Sequence, residues 1–199
     1  MKPATRLTAL AGLATVLSAS GASAHIGQGD AHDMLHGFLH PFTGIDHVLA
    51  MASIGLLAAQ LGGRAVWLVP ASFLTMMVVS GALGMSGIAL PYVDLGIALS
   101  VVALGALIAT QARPSVAVAM GLAGVFAAFH GFAHGAELPA GDSGVAFALG
   151  FIPATALLHG LGLTIGLALP RSGDVRARAV KLIGAGIAFV GVGLVAATF

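Results

Sequence analysis

Long apolar runs, separated by short polar or glycine- and proline-containing links, recur along the whole chain. Beyond residue 43 there are six of them, at about 44–62, 65–86, 92–112, 114–134, 143–169 and 176–198. Crossing the hydrocarbon core of a bilayer takes about 20 consecutive apolar residues, within a range of about 17–25. None of the runs alternates polar with apolar positions as a lipid-facing barrel strand does. In lipid the backbone must satisfy its own polar groups, so each run predicts a helix. The first 24 residues have a different pattern. Lys2 and Arg6 flank the start of an apolar stretch from Leu7 to Leu17, and Ala22-Ser23-Ala24 places small residues at a cleavage position. That is the layout of a secretory signal peptide. The predicted fold is an all-α integral membrane protein: an N-terminal signal peptide over 1–24, then a bundle of six transmembrane helices over 25–199, with His25 leading the mature chain.

Composition narrows the picture. The 199 residues are 58% hydrophobic and 8% charged, against about 25% charged in soluble domains. So few charges cannot cover a water-facing surface, which excludes a soluble globular domain, and a disordered chain needs the opposite balance. The 29 glycines suit close approach of helices in lipid. With 8 basic and 7 acidic side chains and no basic cluster, nucleic acid is not an expected partner. The absence of cysteine removes disulfides, thiolate metal sites and cysteine nucleophiles.

Charge placement predicts orientation. If His25 is exported, Arg64, Arg113, Arg171, Arg176, Arg178 and Lys181 all fall in cytoplasmic positions, and Glu137 and Asp142 fall outside. This satisfies the positive-inside rule. The expected location is the bacterial inner membrane, multi-pass, with both mature termini periplasmic. The lipid bilayer is then the standing partner, and a homo-oligomer remains open.

Candidate chemistry lies with eight histidines in a chain that otherwise avoids polar groups. His25, His32, His36, His40, Asp46 and His47 precede or begin the first span, and His130, His134 and Glu137 end the fourth. The orientation above puts both groups on the external face, so the outer ends of these two spans should pack together. At about 100° per residue, positions 130, 134 and 137 fall within about 60° of one another on a helix. Two imidazoles and a carboxylate on one stripe suit Ni²⁺, Co²⁺ or Zn²⁺. In His40-Pro41-Phe42-Thr43-Gly44-Ile45-Asp46-His47, proline suits a helix entry, and Thr43 with Asp46 matches a capping pattern that competes with a ligand role for Asp46. His-Gly-Phe-x-His occurs at 36–40 and 130–134, but one copy precedes its span and the other ends its span, so it argues only weakly for an inverted duplication. Asp94 opens the third span, where the helix dipole favours an acid; it joins the candidate metal relay with His36 and His159. His159 lies deep in the fifth span, toward its cytoplasmic end, beyond a kink expected at Pro153. His32 reads as part of a tail.

His40-x5-Asp46-His47 and Phe129-His130-Gly131-x-Ala133-His134-Gly135-x-Glu137 resemble the two signatures of the HupE/UreJ family, small membrane proteins linked to hydrogenase and urease gene clusters. The resemblance extends over the leader and all six spans. It implies a nickel permease, or a cobalt permease of the same type, that supplies hydrogenase or urease maturation and is not an enzyme. It implies metal contact by His40, Asp46, His47, His130, His134 and Glu137. The divalent ion is then transported substrate, and no cofactor is bound permanently. The sequence has no Gly-x4-Gly-Lys-Ser/Thr loop, so the energy must come from a gradient. Two charges moving through about 100 mV are worth roughly 4.6 kcal/mol. Two other readings use the same residues: a zinc-dependent intramembrane hydrolase, although His-Glu-x-x-His is absent, and a haem-binding electron carrier, although six of the histidines cluster near one surface.

Overall fold

The computed structural model describes residues 30–139, 141–169 and 173–199. The expected signal peptide, His25 and Arg171 lie outside the described residues. Those residues form seven α-helices: α1 (Asp30–Leu39), α2 (Ile45–Leu61), α3 (Ala65–Gly84), α4 (Val93–Ala109), α5 (Val116–Ala136), α6 (Gly144–Ala168) and α7 (Asp174–Ala197), with a 3-10 turn, His40–Phe42, between α1 and α2. The six apolar runs coincide with α2 to α7 to within a few residues at each end. Four helices, α3, α5, α6 and α7, are long and apolar enough to cross a membrane. A fifth crossing arises if α1 and α2 count as one span broken by a 78° bend. At 17 residues α4 is shorter, at the lower limit for a span.

The bend falls at the proline-bearing entry to the first span; the departure from expectation is that the segment before it, read as a tail, forms helix α1. Pro41 lies in the 3-10 turn and has no N–H to continue the helix. Gly44, the residue before α2, is extended at φ −105° and ψ 126°. The expected Thr43–Asp46 cap does not form. The Thr43 hydroxyl donates to the His40 carbonyl at 2.7 Å, and Asp46 Oδ1 accepts from His47. The two following serine caps do form: Ser115 Oγ accepts from Val118 N–H and Ser143 Oγ from Ala146 N–H, starting α5 and α6.

Three helix pairings build the bundle: α3 lies along α5, α4 along α7, and α2 along α6, with α1 across the outer part of α6. Glycines allow the close crossings. A side chain at Gly55 would strike the His159 carbonyl, and one at Gly131 would strike the backbone of Met77. Met51, Ile54, Phe73, Val101, Leu104 and Phe151 form the interior, while Trp67, Leu83, Val125, Leu157, Leu182 and Phe189 point outward. An apolar exterior of this extent fits lipid and would be a liability in water.

The two ends of the bundle differ in charge. Gln60 Nε2 donates to the Ala112 carbonyl at 2.7 Å, and Leu56, Ile108 and Val180 pack together. These contacts gather the helix ends that carry Arg64, Arg113 and Arg176 at one side. Arg176, expected only to anchor the topology, also reaches the Gly166 and Leu169 carbonyls at the end of α6, where a cation complements the helix dipole. Asp33, Asp46, Glu137 and Asp142 belong to the opposite end, with the histidine cluster.

Candidate metal site

Four imidazoles from three segments meet at the acidic end. Counting between ring centroids, His40 of the turn lies 4.7 Å from His134 of α5 and 6.2 Å from His47 of α2. His47 lies 4.5 Å from His134 and 5.1 Å from His130. The outer ends of α2 and α5 therefore do come together, although they are 83 residues apart from His47 to His130. Elsewhere these two helices hardly touch, so the histidines themselves make the junction. Phe151 of α6 closes one side, its ring 4.2 Å from His134. A cavity of about 300 Å³ opens beside the cluster, and His134 contributes the one polar side chain in its lining.

Hydrogen bonds fix the tautomers. Asp46 Oδ1 accepts from the His47 backbone N–H at 2.8 Å and pairs with His47 Nδ1 at 2.7 Å. A carboxylate can only accept, so the proton is on Nδ1 and the Nε2 lone pair is free. His130 is oriented by Ser100 of α4. The serine hydroxyl spends its proton on the Ile97 carbonyl at 2.7 Å, so its oxygen accepts from His130 Nε2–H at 3.0 Å. The Nδ1 lone pair of His130 is thereby left free. His47 Nε2, His130 Nδ1 and both nitrogens of His134 are buried without a hydrogen-bond partner. Buried polar atoms without partners are costly, and here they concentrate on residues that ligate first-row metals well. Among the described residues no three His, Asp or Glu side chains already stand in ligating geometry; the rings meet edge to face.

The remaining candidates stand around this centre. Asp46 orients His47 in the way that outer carboxylates orient metal-bound imidazoles. Glu137 caps the end of α5, its N–H bonded to the Ala133 carbonyl, and its side chain is exposed at the mouth. Its carboxyl is raised above the ordinary glutamate value, chiefly by partial desolvation and further by the negative charges of Asp94 and Asp46, against an opposing pull from His47. Asp94 is in the exposed first turn of α4, as expected of a helix-terminus acid. His36 is one ring outward from His40, at 5.7 Å. His159 is the sixteenth residue of the 25 in α6, past its middle, and its ring is 5.2 Å from Phe73, which lies 5.9 Å from His130. Two ring contacts therefore link it to the outer cluster. Pro153 lies within α6, which continues as one helix past it.

Sequence reasoning missed Ser100, Phe73 and Asp33. A serine in an otherwise apolar run is a signal that could have pointed to Ser100; a phenylalanine among ten gives none. Ser100→Ala should release the His130 tautomer and weaken apparent metal affinity by about 10- to 100-fold, the usual cost of losing such a partner. Titration of the purified protein with a divalent first-row metal ion checks this, and an unchanged dissociation constant would remove Ser100 from the site.

The HupE / UreJ protein family model matches residues 13–194. Protein HupE of Rhizobium leguminosarum bv. viciae is 43% identical over 182 residues, covering 92% of this chain and 94% of that protein. No solved structure matches.

Proposed function

The chain belongs to the HupE/UreJ family, and from that premise we propose that it is a secondary permease carrying Ni²⁺ from periplasm to cytoplasm, with Co²⁺ as the alternative cargo. The observation that carries this reading is the concentration of partnerless imidazole nitrogens on His47, His130 and His134 at the acidic end of an apolar helical bundle. The rings of His40, His47 and His134 are close enough to share one ion after rotation about their side-chain bonds. Metal–nitrogen bonds of about 2.1 Å place two rings on one ion roughly 4.5–6.5 Å apart at their centroids. Imidazole is a borderline ligand suited to nickel and cobalt. Asp46 holds His47 in its ligating tautomer, and Glu137 with Asp94 supplies negative charge at the mouth.

In this reading α2 to α7 are the six spans, with α1 folded back at the periplasmic surface and the arginine-bearing end in the cytoplasm. His159, buried behind Phe73 with both ring nitrogens unpartnered, is the next station inward. The membrane potential supplies the driving force. The product of transport would feed hydrogenase or urease maturation. A haem reading finds no support, because His40, His47 and His134 are already in mutual ring contact. Nor does the family favour a hydrolase.

Uptake of radiolabelled nickel by cells expressing the protein is the direct test; no uptake above control cells, at verified membrane expression, would sink the proposal. Acidity gives a second measurement. Because the Glu137 carboxyl is raised, falling external pH protonates it earlier than an ordinary glutamate, and the mouth loses a negative charge. Nickel uptake should decline with acidification at fixed membrane potential. Glu137→Gln, which mimics the protonated form, should transport less at neutral pH and show a flatter acid limb. An acid limb as steep as the parent's would mean that Glu137 does not set it.

A further inference from the structure

Helix α1 carries histidines that the central cluster does not use. His32 and His36 lie four residues apart on one side of the helix, and His40, the first residue of the turn that follows, continues their spacing into the cluster. Their rings form a file: 6.5 Å from His32 to His36, 5.7 Å from His36 to His40, then 4.7 Å from His40 to buried His134. Access to water falls along the file. The His32 side chain is 39% exposed and that of His36 31%, against 13% for His47 in the centre.

Carboxylates accompany the outer two rings. His36 Nδ1 lies 3.7 Å from Asp142 Oδ2 on the α5–α6 link, and His32 Nδ1 lies 3.6 Å from Asp33 Oδ1. The helix is firmly placed. Asp33 is buried, and its Oδ2 accepts the Ser143 N–H at 2.7 Å, which ties α1 to the start of α6. Gly37 packs on the Phe147 carbonyl and Gly150 on the Met34 carbonyl, so the two backbones are in contact. Met34, Leu35 and Leu39 line the exposed side of α1, where an interfacial helix meets the acyl boundary. A helix pinned in this way holds its histidines over the mouth of the cluster.

We propose that α1 is the entrance of the ion path: His36 and Asp142, with His32 above them, form a shallow loading site that takes a divalent first-row metal ion from solution and passes it to His40. The proposal rests on the permease reading and adds a site to it. Each ring spacing in the file falls within the roughly 4.5–6.5 Å that two imidazoles on one ion require. The ion can therefore gain the next nitrogen before it loses the last, and is never stripped of all its ligands at once. A loading site raises occupancy of the path at low metal concentration and leaves the rate-limiting inner steps untouched.

The test is initial-rate nickel uptake over a range of concentrations, normalised to membrane protein, in the parent, the double variant His32→Ala/His36→Ala, Asp142→Asn and His36→Gln. His36→Gln keeps a polar, helix-compatible side chain that can still bond Asp142, so folding is preserved while the imidazole nitrogen is lost. The double variant should raise KM about tenfold with the maximal rate close to the parent's, and Asp142→Asn and His36→Gln should shift KM in the same direction. A parental KM in the double variant and in His36→Gln would overturn the entrance while leaving transport standing. A fall in maximal rate with KM unchanged would equally overturn it, by placing these residues in the inner step. Absence of uptake by the parent would instead overturn the permease reading on which the entrance rests.

Discussion

His134→Ala should abolish nickel uptake at every external concentration while leaving the protein in the membrane at near-parental amount. The ring touches both His40 and His47, at 4.7 and 4.5 Å, so it joins α5 to the turn and to α2 alike. Its two nitrogens are buried without hydrogen bonds, and the substitution therefore strands no protein partner. Alanine is the best helix former, and the position is in the last turns of α5. Losing an orienting partner of a metal ligand costs about 10- to 100-fold, and losing the ligand itself should cost more. Raising external nickel should not rescue this variant, in contrast to the KM shift expected for the α1 variants. Uptake at limiting and at saturating nickel, with the protein level measured by immunoblot, checks the expectation. Parental transport by His134→Ala would take the ion path away from this cluster.

How much of this was legible in the sequence depended on how far apart the interacting residues are. Helices α2 to α7 could be read because lipid demands long apolar runs, and few other structures tolerate them. The meeting of His40 and His47 with His130 and His134 followed from counting crossings, which fixes the end at which each residue emerges. Helix α1 was not legible. Ten residues bearing His32, Asp33 and His36 are too short and too polar for a span, and nothing local announces that Asp33 will bond Ser143, 110 positions away. The Ser100–His130 bond was hidden for the same reason. The link from His159 through Phe73 to His130 was hidden because counting from a helix entry gives distance along α6 and says nothing of what α3 and α5 bring beside it. Asp46 carried two local readings, cap and ligand; only the side-chain geometry revealed a third, orientation of His47.

A single methyl group on α5 should have a large effect or none, according to which glycine receives it. Gly131, between His130 and His134, faces α3 so closely that a Cβ there would overlap the Met77 carbonyl and the Ser80 hydroxyl. Backbone atoms cannot swing aside, so Gly131→Ala has to push α3 and α5 apart. Overpacking of this kind costs about 1–3 kcal/mol. The shift would also carry both α5 imidazoles away from His47, whose ring contacts of 4.5 and 5.1 Å leave little slack. Gly131→Ala should therefore lower both the thermal unfolding midpoint in detergent and the uptake rate per molecule. Gly121 is the internal control. It lies on the same helix with nothing within 4 Å of an added Cβ, and glycine in a helix interior is less favourable than alanine by about 1 kcal/mol. Gly121→Ala should leave uptake unchanged and hold or raise the midpoint. If the two variants behave alike in both measurements, the close crossing of α3 and α5 at Gly131 is not what holds His130 and His134 against His47.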